Sequence, residues 1–198
     1  LLTYAHEPGR AGAALIPALA DALPEVSGGG RVYRLRLRDG IRYSNGKPVR
    51  AADFAFALRR LRELRSPGAE LFANVEGVKT GADGSIEIRL REPQAGFADV
   101  LALPFGAPVP EGSPLEDASA KPLPATGPYR LIRPPGTGFA LIRNRYWTEI
   151  PGIPSGYANR ISVQVTGDAP AALAATFAGT VDYTTHQIPL PEVKATLA

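Results

Sequence analysis

The sequence predicts a mixed α and β fold of the α+β kind, and three observations carry that prediction. Residues 31–38 alternate strictly, with Tyr33, Leu35 and Leu37 on one face and Arg34, Arg36 and Arg38 on the other. That is the period-two pattern of a half-buried strand. Residues 52–65 instead space Phe54, Ala57, Leu58, Leu61 and Leu64 at three- and four-residue intervals, leaving Arg59, Arg60, Arg62 and Arg65 to the remaining arc. That is the helical period. Finally, 21 glycines and 20 prolines punctuate the 198 residues so often that long helices are confined to a few places.

Taken in order, the alanine-rich, leucine-spaced residues 13–23 predict a short helix, with Pro17 near its start where first-turn amides lack partners anyway. A turn at 27–30 precedes the alternating strand, and Asp39-Gly40 turns the chain again. The pair Asn45-Gly46 suits the positive φ angles of a tight reversal after the extended residues 41–44. The helix of 52–65 carries Glu63 four residues after Arg59, a supporting ion pair, and Pro67-Gly68 ends it. Residues 75–80 and 85–91 flank Asp83-Gly84 and predict a β-hairpin. A short helix over 96–103 and a Pro-rich loop over 104–124 come next. Strands are predicted at 129–133, 139–143 and 160–166, the first two joined by residues 135–138. A helix over 169–178, stopped by Gly179, leads into a strand at 181–183. There is no internal repeat.

Composition narrows the function classes. With 44% hydrophobic and 21% charged residues the chain has enough apolar surface for a real core. No apolar run approaches the roughly eighteen residues of a membrane span, and residues 1–10 lack the basic-then-apolar pattern of a signal peptide. A chain opening at Leu1 reads as a piece processed or cut from something longer. The absence of cysteine excludes disulfides, thiolate metal sites and a cysteine nucleophile. The net charge of +3 is almost all arginine, since Lys47, Lys79, Lys121 and Lys194 are the only lysines among 22 basic residues. That bias, beside abundant Ala, Gly and Pro, reads as GC-rich codon usage more than as selection for a ligand. His6 and His186 are the only histidines, and neither has a second ligand at metal-binding spacing. No nucleophile elbow, phosphate loop or dinucleotide fingerprint occurs, because Gly136-Thr-Gly138 falls in a hairpin turn. No catalytic residue, metal or cofactor is therefore expected. Tyr146 and Trp147 could form a stacking platform, but after a strand ending in Arg-Asn the better reading packs them between sheet and helix.

Four segments, in order, carry a resemblance to a known family. They are Ile16-Pro-Ala-Leu-Ala-Asp21; the long block from Tyr33 to Phe54 containing Asp39-Gly40, Asn45-Gly46-Lys-Pro-Val-Arg50 and Ala51-Ala-Asp-Phe54; Thr126-Gly-Pro-Tyr129 followed by Arg143-Asn-Arg-Tyr-Trp147; and Ala178-Gly-Thr-Val-Asp182. Together they resemble the family 5 extracytoplasmic solute-binding proteins of ABC importers, the oligopeptide and dipeptide binders. Two positions depart from the family pattern. Arg50 stands where a hydroxyl usually caps the following helix, and Arg145 stands where proline usually follows the asparagine.

The resemblance implies a periplasmic-binding-protein-like lobe of the type II class with an inserted hairpin and helix subdomain. Residues 1–125 would form that subdomain with the N-terminal edge of lobe one, and residues 126–198 the core of that lobe up to a crossover into a second lobe. It implies non-catalytic capture of a peptide or other small polar solute between two hinged lobes, and delivery to a membrane ABC permease. A monomer and an extracytoplasmic place, lipoprotein or secreted, go with it. By the same resemblance Thr185, His186 and Gln187 line the cleft and hydrogen-bond a peptide-like backbone, the alternative being a surface loop facing water. Glu70 and Phe72 are a second candidate pair, the alternative placing Leu71 and Phe72 in the core. One rival keeps the fold and makes the lobe a sensor or interaction module of a cytoplasmic regulator. Another reads the arginine face as a nucleic-acid contact, against which stand the interspersed acidic residues and the absence of any nucleic-acid motif.

Overall fold

The computed structural model of the chain describes residues 1–118, 120–133 and 138–186. Two short strands, β1 (Leu2–Tyr4) and β2 (Leu15–Pro17), pair antiparallel around a 3₁₀ helix at Gly9–Ala13. Next come β3 (Glu25–Ser27), β4 (Val32–Arg36), the helix α1 (Ala51–Glu63), a 3₁₀ helix at Pro67–Phe72, and the hairpin β5 (Val75–Thr80) with β6 (Ser85–Leu90). The four strands form one antiparallel sheet in the order β3-β4-β6-β5. A single-turn helix α2 (Phe97–Val100) follows. A second antiparallel sheet, in the order β7-β8-β9, is built from β7 (Tyr129–Ile132), β8 (Phe139–Arg143) and β9 (Arg160–Val163). The helix α3 (Ala169–Phe177) comes last.

The alternation in β4 has the predicted consequence: Tyr33, Leu35 and Leu37 are buried while Arg34 and Arg36 face solvent. Register sets Tyr33 opposite Ile88 and Leu35 opposite Ile86, so the apolar faces of both strands coincide. Helix α1 covers this face with Phe54 and Leu58, both essentially fully buried. Phe97 stands edge-on to Tyr33 at 5.0 Å between ring centroids and to Phe72 at 6.4 Å, the arrangement aromatic quadrupoles favour. Each such ring contributes about 1.5–3 kcal/mol through removal of its surface from water. On the outer face, Arg34 pairs with Glu87 at 2.8 Å and Arg36 with Asp21 at 2.8 Å. The arginine stripe of the nucleic-acid rival is thus interleaved with carboxylates.

The structure corrects the sequence reading in several places. Residues 14–23 form no helix: 15–17 are the strand β2 and the rest are bends and a bridge. The amides of Ala18 and Ala20 both donate to the Leu1 carbonyl, and Arg38 donates its amide to Leu19. Pro17 has no amide to continue a helix, and pairing with β1 and with the end of β4 outweighs the weak helix preference of alanine. Residues 181–183 do not form a strand, because the amides of Thr180 and Val181 fold back onto the Ala175 carbonyl at the end of α3. The helix expected over 96–103 is cut to α2, and β3 had no sequence signal of its own. The Asn45-Gly46 reversal, α1, the β5–β6 hairpin, the Pro-rich loop and α3 stand as expected.

Two polar residues fasten loops to this frame. Asp53 is buried in the first turn of α1, and its carboxylate accepts from the Tyr43 hydroxyl (3.0 Å), the Arg50 amide (2.9 Å) and the Glu111 amide (2.9 Å). Arg50 has no acceptor for capping, so the helix start is satisfied from inside by Asp53. Burial, and then the neighbouring carboxylate, raises the pKa of the Tyr43 phenol far above its usual value, which keeps it a donor. Asn144 is the second fastener. Its side-chain amide donates to Gly127, its backbone amide donates to Pro128, and its side-chain oxygen accepts from the Tyr146 amide. This explains why Thr126-Gly-Pro-Tyr129 and Arg143-Asn-Arg-Tyr-Trp147 occur together: one asparagine ties the two segments. Trp147 lies against the main core with Ile150 and Ile153.

Candidate functional site

The segment carrying Thr185 and His186 is positioned by α3. Asp168 caps that helix by accepting from the Ala171 amide at 2.9 Å, and Pro170 fits the first turn. At the far end Gly179 takes φ +69°, a left-handed value favouring glycine, and donates to the Thr176 carbonyl. This sharp stop sends the chain away from the helix. Tyr183 and Thr185 are exposed, while His186 is half-buried and donates its backbone amide to the Thr184 hydroxyl at 3.2 Å. Gln187 lies outside the described residues. The hydroxyls of Thr184 and Thr185 and the imidazole of His186 can each donate and accept a hydrogen bond.

The second pair divides. Glu70 is exposed on the 3₁₀ helix at Pro67–Phe72. Phe72 is completely buried against Phe97, and its carbonyl accepts from the Arg62 guanidinium. It is a core residue here and has no free surface to reach a cleft, because the ring is the partner that completes the stack under α1. Among the described residues no hydrogen bond, ion pair or ring contact joins Glu70 or Phe72 to Thr185 or His186.

A concavity lies elsewhere among the described residues. Three turns converge on an open groove of about 600 Å³: residues 37–42 after β4, residues 48–52 at the start of α1, and residues 80–84 between β5 and β6. Its charged residues are Arg38, Arg42, Arg50, Asp39 and Asp83. Arg38 is held by the Ala18 carbonyl and Arg42 by the Gly46 carbonyl. Hydrogen bonds from the Ser85 hydroxyl and amide hold the Asp83 carboxyl below its usual pKa. None of the candidate ligand-binding residues Glu70, Phe72, Thr185 and His186 lines this groove. The Asp39-Gly40 and Asp83-Gly84 turns were legible, but their convergence depends on the pairing of β4 with β6. Among the described residues no cluster of His, Asp or Glu could hold a metal ion, and no helix is long and apolar enough to cross a membrane.

Against this geometry the comparisons are direct. The model of the bacterial extracellular solute-binding proteins, family 5 Middle, matches residues 14–197. The chain is 33% identical over 171 residues to Protein XP55 of Streptomyces lividans, covering 85% of this chain and 28% of that protein. It is 28% identical over 177 residues to the probable peptide ABC transporter periplasmic-binding protein y4tO of Sinorhizobium fredii, covering 80% of this chain and 32% of the relative. The chain therefore spans about a third of the length of the curated relatives it matches. Among solved structures, clavulanic acid biosynthesis oligopeptide binding protein 2 superposes on 100% of this chain and 40% of its own with a TM-score of 0.89 at 28% identity. The unliganded open form of the periplasmic murein tripeptide binding protein MppA, at 20% identity and a TM-score of 0.75 over 91% of this chain and 38% of its own, shares the fold.

Proposed function

The chain belongs to the family 5 bacterial extracellular solute-binding proteins, and we propose that it is part of a protein that captures a peptide or other small polar solute for an ABC importer without chemically altering it. The family relationship, running nearly the whole chain and matched by its backbone, carries this reading. Proteins of this family are periplasmic or extracytoplasmic, and the fold is that of the type II periplasmic binding proteins. The relatives named as peptide binders favour a peptide over other solutes. On this reading the parent is monomeric, anchored as a lipoprotein or secreted, and docks on a permease when closed around its solute.

Residues 1–125 are the inserted subdomain with the edge of lobe one, and 126–198 the core of that lobe. The Pro-rich stretch between the two larger sheets supports a boundary there, although Ile150 bridges back to the first core. Thr185, His186 and Gln187 would hydrogen-bond the solute, with Glu70 at the rim. Extended peptides are held through backbone groups, so affinity need not bring sequence selectivity.

Titration calorimetry with di-, tri- and pentapeptides of alanine and lysine tests this reading. The full-length gene product binds at least one length class, and His186→Ala and Gln187→Ala weaken that binding at least tenfold with little change in Tm. Micromolar binding by the 198 residues alone would contradict capture between two lobes. Unchanged affinity in both variants removes those residues from the site.

A further inference from the structure

The groove between residues 37–42, 48–52 and 80–84 is held in shape by the backbone. Leu37 donates its amide to the Gly84 carbonyl at 3.0 Å, which fixes the turn after β4 against the turn between β5 and β6. Val49 donates its amide to the Ile41 carbonyl at 3.0 Å, and Arg42 forms a β-bridge with Pro48, so the approach to α1 is fixed against the same turn. Walls tied to one another in this way need little reordering to take up a ligand.

The charges in the groove are unequally matched. Asp39 lies 3.6 Å from the Arg36 guanidinium, and Asp83 accepts from the amide and the hydroxyl of Ser85. Neither Arg36 nor Ser85 lines the groove, so both carboxylates are answered from outside it. The arginines are not answered in kind. Among the described residues no ion pair includes Arg38, Arg42 or Arg50. Arg38 and Arg42 are each anchored by one backbone carbonyl, of Ala18 and of Gly46, both at 2.9 Å. The Arg50 guanidinium has no acceptor among the described residues. A guanidinium carries five N–H donors in a planar fork, so most of the donors of these three side chains are unused.

We infer that this groove is a binding site for a small polyanion, a molecule bearing two or more carboxylate or phosphate groups, held by Arg38, Arg42 and Arg50 and separate from the candidate solute residues Glu70, Thr185 and His186. A single exposed ion pair contributes little in water and is screened by salt, so one carboxylate is not retained. Three arginines on two tied turns can share one ligand, and their forks match the paired oxygens of carboxylate and phosphate alike. The volume of about 600 Å³ suits a molecule of that size. The inference does not depend on what solute the cleft carries.

Titration calorimetry of the full-length gene product with pyrophosphate and, separately, with citrate tests it. At low salt at least one of the two binds, one per protein, and about tenfold more weakly once salt is raised about tenfold. Preference for pyrophosphate or for citrate tells phosphate from carboxylate as the natural group. Arg50→Ala, which breaks no side-chain contact of the fold, weakens binding at least fivefold and leaves Tm within about a degree. Arg50→Lys restores part of it, and Asp83→Asn tightens it. Arg34→Ala, an arginine of the same sheet outside the groove, leaves the affinity within about twofold. Binding of neither anion at millimolar concentration overturns the inference. Equal losses in Arg34→Ala and Arg50→Ala overturn it in favour of general positive charge, and displacement of the anion by a bound peptide overturns it in favour of the solute cleft. Anion binding by a full-length protein that takes no peptide supports this site and refutes the peptide reading alone.

Discussion

Replacing Asp53 by alanine strips one buried carboxylate from three donors at once. The Tyr43 hydroxyl is fully enclosed, and the Arg50 and Glu111 amides are half-enclosed. A buried donor left without its partner costs about 1–3 kcal/mol, and an amide that water can partly reach costs less. The three together come to about 3–5 kcal/mol, a large share of the 5–15 kcal/mol by which domains are stable. With a urea slope of about 2 kcal/mol per molar, the midpoint falls by about 2 M. The assay is urea unfolding of the 198-residue chain followed by far-ultraviolet circular dichroism and by the fluorescence of Trp147, its only tryptophan. Asp53→Asn keeps one acceptor and loses about half as much. In the double variant with Tyr43→Phe the deficits add to less than their sum, because Tyr43 no longer has a hydroxyl to orphan. An Asp53→Ala midpoint within about 0.5 M of the parent would refute the account of Asp53 as the residue joining helix start, turn and Pro-rich loop.

Two further outcomes follow from the same contacts. Asn144→Ala removes the tie between the two motif segments; about 2–3 kcal/mol is lost in urea unfolding, and the backbone near 127–129 exchanges faster. Gly46→Ala loses about 2 kcal/mol, since Gly46 sits at φ +85° and an added Cβ would lie 2.8 Å from the Tyr146 ring; Tyr146→Ala in the same chain recovers the steric part and leaves the backbone part.

How far the sequence could be read depended on where the deciding interactions lay. The alternation of β4, the period of α1 and the Asp83-Gly84 hairpin are settled by neighbours a few residues away, and the structure reproduces them. Residues 13–23 are settled by Leu1 and by Arg36 and Arg38 across a sheet, which their own alanine spacing could not announce. The same holds for Phe72. Its position after α1 was legible, but only the fold shows that its ring meets Phe97 in the core. The motif residues Asp53 and Asn144 stood out by resemblance, and their hydrogen bonds now give the physical reason. The groove at 37–42, 48–52 and 80–84 escaped notice because no single segment builds it.

Native mass spectrometry of the full-length product, purified gently from its source and then gently unfolded, tests the capture-without-chemistry reading most directly. The account predicts a small polar molecule, a peptide first of all, released intact at one per protein, and rebinding of the same molecule after incubation without change of mass. A protein that holds nothing, or one that returns its ligand cleaved or modified, would contradict it.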